Sequence, residues 1–236
     1  MRDVATTAID VDSSRPGSNG LTHPPSVFER LQQDILSGHL QPGSRLVLKD
    51  LAKKYDTSTS PLREALNRLS SNGMVVRADN RGFRVSPANS KELLELARTR
   101  CWLEGIALRQ SIANGDSDWE ERIVVAFHWL ARASEIHGHA DIKASAEWAV
   151  RHDDFHIALV SACDASILMD FCAQLQERID RYRNLAEVIE NSEGHEIEEH
   201  RELLDAALNR DADRATELLA KHHKLTAKIV LMSGRF

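Results

Sequence analysis

The chain has 236 residues, of which 42% are hydrophobic and 28% charged, an ordinary balance for a globular protein of one or two modest domains. No run approaches the roughly eighteen apolar residues of a membrane span. Asp3, Asp10 and Asp12 stand where an export signal would need its apolar core, so a cytoplasmic location is expected.

The net charge of −6 is unevenly spread. Residues 22–87 hold ten Lys/Arg against six Asp/Glu, and residues 88–236 hold eighteen against twenty-seven. A small basic module preceding a larger acidic one predicts an anionic partner for the first alone. Cys101, Cys163 and Cys172 are odd in number and lack CxxC spacing, so they are expected as free thiols, each a small buried hydrophobe.

Residues 1–22 are polar and read as a tail. From Pro24, PPSVFERLQQDILSG places Val27, Leu31 and Ile35 on one stripe, an amphipathic helix stopped at Gly38. Pro42-Gly43 turns the chain, and a second short helix is predicted over Leu48–Tyr55. DTSTS breaks it. A third helix is predicted with Ser60 as its N-cap, Pro61 as its first residue and Gly73 as its end. MVVRADNRGFRVSP then alternates apolar and polar residues around Asp79-Asn80-Arg81-Gly82, a β-hairpin. Pro87 closes this unit, and domains are expected at 23–87 and 88–236. Helices are predicted over about 89–113, 117–136, 141–162, 166–190, 194–209 and 211–231, separated at Asn114-Gly115, Gly138, Asp164 and Gly194. The predicted fold is mainly α: a winged helix-turn-helix followed by an all-helical bundle.

Three short helices and a hairpin in about 65 residues, basic within an acidic chain, predict a reader of double-stranded DNA. Ser58, Thr59, Ser60 and Arg63 open the third helix, hydroxyls for phosphates and a guanidinium able to grip a guanine bidentately. Lys49 opens the second helix, and Arg81 with Gly82 forms the wing tip. Taken singly, Ser60-Pro61 is only a good cap and the arginines a solvated face. The ordered set together with the charge balance favours DNA.

In the second module, RHDDFH places His152 and His156 four residues apart, on one face of a helix. The same spacing occurs in the HExxH of zinc peptidases, with Asp153 where the catalytic Glu would be. A peptidase needs an open coordination position and a carboxylate beside the metal-bound water. Asp153 is one carbon shorter than Glu, and no further peptidase signature accompanies it. The remaining readings are a metal-containing sensor, a structural metal or dimerisation domain, and two incidental histidines.

ILSGHLQPGSRL, LAKKYDTSTSPLREALNRLSSNGMV and NRGFRV closely resemble the DNA-binding domain of GntR-family transcription regulators. By that likeness Lys49, Ser58, Thr59, Ser60, Arg63, Arg81 and Gly82 occupy DNA-contacting positions; many relatives carry Arg where Thr59 stands. The similarity continues through ARTRCWLEGIAL, DDFHIALVSACDASIL and EEHRELLDAALNRDADRATELLAKHH, which resemble the FCD ligand-binding domain of the FadR-type branch. EWAVRHDDFHIALVSACDASIL is most similar to the carbon-starvation regulators that respond to glutarate.

In many members of the branch a metal is held by Asp-x-x-x-His on one helix and one His on each of two later helices. The matching positions are His152, His156, His200 and His222, with His152 in place of the usual Asp. Four imidazoles suit Zn²⁺, Ni²⁺ or Cu²⁺ better than Mg²⁺ or Ca²⁺, and Zn or Ni is expected. Asp153 and His223 are the alternatives for one ligand. The resemblance also implies that Arg100, four residues before Glu104, faces the pocket and pairs with an acidic ligand; otherwise the two form a mere helix-surface pair. Arg98 is expected to be exposed. The chain is thus expected to be a homodimeric repressor binding an inverted-repeat operator. It would sense a small carboxylate, most simply a dicarboxylate such as glutarate, through a pocket in which four histidines bring no negative charge.

Overall fold

A computed structural model describes residues 24–78, 82–137, 142–186 and 195–236, the side chains at 136, 137, 142–146, 195 and 196 excepted. The tail, Asp79-Asn80-Arg81 of the hairpin turn, Gly138 and Gly194 lie outside the described residues.

Local chemistry explains where the first helices begin and end. Ser26 Oγ accepts the Glu29 N–H at 3.2 Å while the Glu29 carboxylate accepts the Ser26 N–H at 2.7 Å, a capping box that opens α1 (Val27–Leu36). Gly38, at φ +76°, stops it in the left-handed region that favours glycine. A two-residue strand, β1 (Arg45–Leu46), follows, then α2 (Leu48–Lys54) and α3 (Thr59–Ser71). The predicted start of α3 is corrected: its N-cap is Ser58, and Pro61 is its third residue. The first N–H groups of a helix have no intrahelical acceptor, so proline there removes no bond.

β2 (Val75–Ala78) and β3 (Gly82–Val85) form the predicted hairpin, with Val75 opposite Val85 and Ala78 opposite Gly82. β1 was not expected. It lies antiparallel to β3, giving the sheet order β1-β3-β2, with Leu46 opposite Phe83. Two residues are too few to show an alternation. Leu31 and Ile35 of α1, Leu62, Leu66 and Leu69 of α3, and Val75 and Val85 of the sheet close the core of this head.

The remainder of the described chain is helical: α4 (Ser90–Asn114), α5 (Ser117–His137), α6 (Ile142–Val160), α7 (Ser166–Ala186), α8 (His195–Leu208) and α9 (Ala212–Met232). α4 packs on α9, α7 and α6, while α5 packs on α6 and α8. Trp119, Ile123, Leu130, Phe155, Leu159 and Leu219 form the centre of the bundle core. Gly115 terminates α4 and needs its missing side chain, since a Cβ there would lie 2.3 Å from the Trp119 ring. Asp164, at φ +50°, marks the break before α7. Among the described residues no helix is long and apolar enough to cross a membrane. All three cysteines are free; Cys163 and Cys172 are buried, but Cys101 is only half-buried, correcting that part of the expectation.

Candidate DNA-reading surface and metal-effector site

On the head, Lys49, Ser58, Thr59, Ser60, Arg63 and Gly82 are all exposed. Arg63 projects from the first turns of α3 while its neighbours Leu62 and Leu66 anchor the helix in the core. Gly82 opens β3 at φ +92° with open space around its α-carbon; Arg81 lies outside the described residues. The register adds a basic pair that sequence spacing hid: exposed Arg45 and Arg84 stand opposite one another on β1 and β3. Arg77 on β2 donates to Asn67 Oδ1 of α3 at 2.9 Å and so ties the wing to that helix.

In the bundle, α6 contributes His152 and His156, α8 contributes His200 and α9 contributes His222, all four buried. Their candidate ligand nitrogens lie within 4.8 Å of one another. His156 Nε2 is 3.2 Å from His152 Nε2, which is 3.4 Å from His222 Nε2. Metal–nitrogen bonds of about 2.0–2.1 Å in a tetrahedron place nitrogens about 3.3–3.4 Å apart, which the His152–His156 and His152–His222 separations match, and the donor chemistry of four imidazoles suits zinc. Outer nitrogens face carboxylates: His152 Nδ1 is 3.5 Å from Asp153 and His222 Nδ1 is 3.8 Å from Glu199. Neither separation is a hydrogen bond, and His152 Nδ1 has no hydrogen-bonding partner. Trp148 stacks on His152 at a centroid distance of 4.8 Å. Burial pushes His152 and His156 well below the usual imidazole range, and the neighbouring cationic groups push the same way, leaving neutral donors.

The two alternative residues lie differently from the cluster. His222 joins the cluster, whereas His223 turns toward Glu104, 2.7 Å away. Asp153 lies beside His152 and accepts from Gln176 at 3.1 Å; it is not among the four clustered donors.

A cavity of about 240 Å³ adjoins the cluster at His156. Arg100 lines it, but Arg100 Nε is held 2.5 Å from Glu104 Oε1, and both side chains are buried. The pair is therefore internal rather than a helix-surface contact. Burial raises the Glu104 carboxyl, yet Arg100 and His223 outweigh it and hold it at about 2. An ionised carboxylate only accepts, so His223 Nε2 carries the proton; burial and Arg100 keep that ring neutral, at about 4, against the pull of Glu104. Arg98 is exposed, as expected, 5.3 Å from the Trp102 ring.

The histidines bring no negative charge, but the cavity beside them carries acidic groups besides the expected Glu104. Glu104, Asp153 and Glu177 all line the cavity beside the single guanidinium of Arg100. Burial and nearby Asp180 push Asp153 up to about 7, and burial also raises Glu177. The rest of the lining is mostly apolar, from Ile157, Val160, Met169 and Ala173, with Cys172 a neutral thiol raised by burial to about 11. Gln176 and Glu177 were absent from the sequence expectation, because helix periodicity gives no sign of which polar residues meet a cavity.

A basic three-helix head with a β-wing, carried on a helical bundle, is the build of a DNA-binding transcriptional regulator. The chain belongs to the GntR family: residues 25–85 match the bacterial regulatory proteins of the gntR family, and residues 95–225 match the FCD domain. These are families of transcriptional regulators rather than enzymes, which ends the peptidase reading. The chain is 39% identical to the HTH-type transcriptional regulator BphR of Paraburkholderia xenovorans, over 89% of this chain and 85% of that one. It is 30% identical to the HTH-type transcriptional repressor GlaR of Escherichia coli, over 83% and 90%. The solved structure of E. coli McbR/YncC superposes with a TM-score of 0.70 at 27% identity, covering 87% of this chain and 95% of that one.

Proposed function

We propose that this GntR-family regulator is a homodimeric repressor, with a head at 23–87 and an effector-binding and dimerisation domain at 88–236. The DNA-contacting residues are Lys49, Ser58, Thr59, Ser60, Arg63, Arg81 and Gly82. His152, His156, His200 and His222 hold a divalent transition metal, Zn or Ni, and the neighbouring cavity takes a small carboxylate. One observation carries the sensing half: four buried imidazoles converge beside a cavity that also presents a buried Arg100–Glu104 pair. The repressor assignment draws on the likeness to GlaR. Two heads held by a dimer would engage two half-sites, and an effector preferring one bundle geometry would shift the population of DNA-competent dimers.

The metal would supply a Lewis-acidic positive charge for the carboxylate. This chain's residues do the rest: Arg100, oriented by Glu104, adds the remaining N–H donors of its fork, and the apolar wall receives the body of the ligand. That wall favours an acid with one carboxylate and an apolar body over a dicarboxylate. A second carboxylate would meet Asp153 or Glu177 with no second guanidinium among the described lining residues. Metal analysis of the purified protein and calorimetry with Ni²⁺, glutarate and hexanoate test this directly. The expected result is one metal per chain and tighter binding of hexanoate than of glutarate. Absence of metal, with neither acid binding, would overturn the reading.

A structural metal is the second reading, and a specific feature favours it: four protein nitrogens are clustered, enough to fill the sphere of a tetrahedral zinc ion. Bound metal with no response to any carboxylate identifies that case.

A further inference from the structure

The three strands of the head carry arginines and no acid: Arg45 on β1, Arg77 on β2 and Arg84 on β3, all exposed. Among the described Lys and Arg residues of the head, Lys54 alone pairs with a carboxylate, Asp34 at 2.6 Å. The bundle differs, since Arg109, Arg178, Arg210 and Arg214 each meet an acid there. The cations of the sheet are thus left without internal counter-charge among the described residues.

Two of them share a face. Alternation along β3 puts Gly82 and Arg84 on one side and Phe83 and Val85 on the other, the latter pair buried in the head's core. Arg45 stands opposite Arg84 while Leu46 stands opposite Phe83, so Arg45 joins the outward side. Directly opposed residues of an antiparallel pair have α-carbons about 4.5–5.5 Å apart, and two residues along a strand span about 7 Å. The Arg45–Arg84 pair therefore sits one short step behind Gly82 at the wing tip. Arg84 Nη1 donates to the Gly43 carbonyl at 3.1 Å, which steadies its stem and leaves its other N–H groups for another acceptor. Arg77 is differently placed: it stands opposite Phe83 and is spent on Asn67 of α3. Like charges directly opposite one another destabilise a sheet, and solvent screening makes this tolerable in the free protein. A bound anion would turn the same arrangement into an attraction.

We propose that Arg45 and Arg84 grip phosphates of the DNA backbone beside the wing, a contact surface additional to α3 and the wing tip. Phosphate contacts fix register and add affinity without reading bases. The proposal rests on the wing tip, Arg81 with Gly82, approaching DNA. The test measures affinity of the full-length protein across a salt series, on a sequence selected from a random pool by the wild type and on random duplex. Each of Arg45→Ala and Arg84→Ala should lower the slope of log affinity against log salt by about 0.9, and the double variant by about twice that. At physiological salt each should weaken both DNAs alike, by about fivefold. Arg45→Lys and Arg84→Lys keep the point charge and should keep the slope. That arm separates phosphate binding from the loss of the Gly43 contact, which would weaken DNA binding without changing the slope. A double Ala variant with unchanged slope, or one weakened on selected DNA alone, overturns the proposal. Arg81→Ala is measured in parallel. If it is silent while the double variant loses slope, the wing-tip reading fails and the phosphate grip stands. If Arg81→Ala weakens binding and the double variant is silent, the grip alone is rejected.

Discussion

At the scale of single residues, the imidazole cluster and the DNA face make separable predictions. His156→Ala removes one of four donors and opens the ligand set on the cavity side, so metal content should fall to near zero while affinity for DNA in the absence of effector stays close to wild type. Elemental analysis and a gel-shift titration check the two halves independently. On the head, Arg63→Ala should cost about 1–3 kcal/mol and relax sequence preference, whereas Lys53→Ala should weaken binding to selected and random DNA alike. Equal losses on both DNAs for both variants would remove Arg63 as a base reader. The pair His223–Glu104 adds a pH dependence. His223 titrates at about 4 in the folded protein against an ordinary value near 6.5, so between those values the unfolded chain binds more protons. Stability therefore rises with pH through that window and is lost on acidification from 6.5 toward 4; Glu104, held at about 2, extends the loss below about 4.5. Urea unfolding at several pH values, in chelator, should show a shallower slope between pH 6.5 and 4 for His223→Gln. An unchanged slope would mean that other groups set the acid limit.

At the scale of elements, the boundary chemistry is open to a direct measurement. Ser26→Ala deletes the acceptor for the Glu29 N–H and half of the capping box, at an expected cost of about 1 kcal/mol read from the denaturation midpoint of the head. The same boundary shows what the sequence made legible. Gly38, Gly73 and Gly115 are local signals, and the helices fall close to where those residues and the apolar periodicity predict, whereas the Ser26 cap emerges only in the structure. The start of α3 was misplaced by two residues because serines and threonines crowd residues 57–60, and proline is tolerated at more than one early position. β1 was missed because it exists only through pairing with β3, across contacts 37 and 39 residues apart in sequence. The cluster was legible in half: spacing alone brings His152 and His156 together, but His200 and His222 join them through the packing of α8 and α9 against the bundle. His223 was ambiguous because adjacent helix positions differ by about 100° and both of these are buried. Of the acidic lining of the cavity, Glu104 and Asp153 were among the candidates, whereas Glu177 was illegible, since it comes from a third helix whose cavity-facing side is set by tertiary contacts.

At the scale of the whole molecule, two apolar cores are built from different parts of the chain. The head's core draws on residues between Leu31 and Val85, and the main bundle core on residues between Ala107 and Leu219. A third cluster, with Leu93, Leu96, Ile179, Tyr182 and Val230, closes the base of the bundle without a head residue. Residues 88–236 are therefore expected to fold alone. They would lose the Ser86 carbonyl that Arg181 binds and the Gly38 end of α1 beside Leu185, contacts at the periphery rather than the centre. The outward side of α4 meanwhile carries Leu94, Trp102 and Ile106, each more than half exposed, and α5 exposes Val124, Val125 and Trp129. Two exposed tryptophans with neighbouring aliphatic groups are a heavy apolar load for an isolated domain, and association of two copies is the direct way to remove them from water. An excised 88–236 fragment should give a cooperative helical melt and sediment as a dimer at micromolar concentration. Trp102→Glu should shift it toward monomer if α4 contributes to that contact. A well-folded fragment that sediments as a monomer would place dimerisation elsewhere, and the two-headed reading of DNA would then need the head or the operator to bring the copies together.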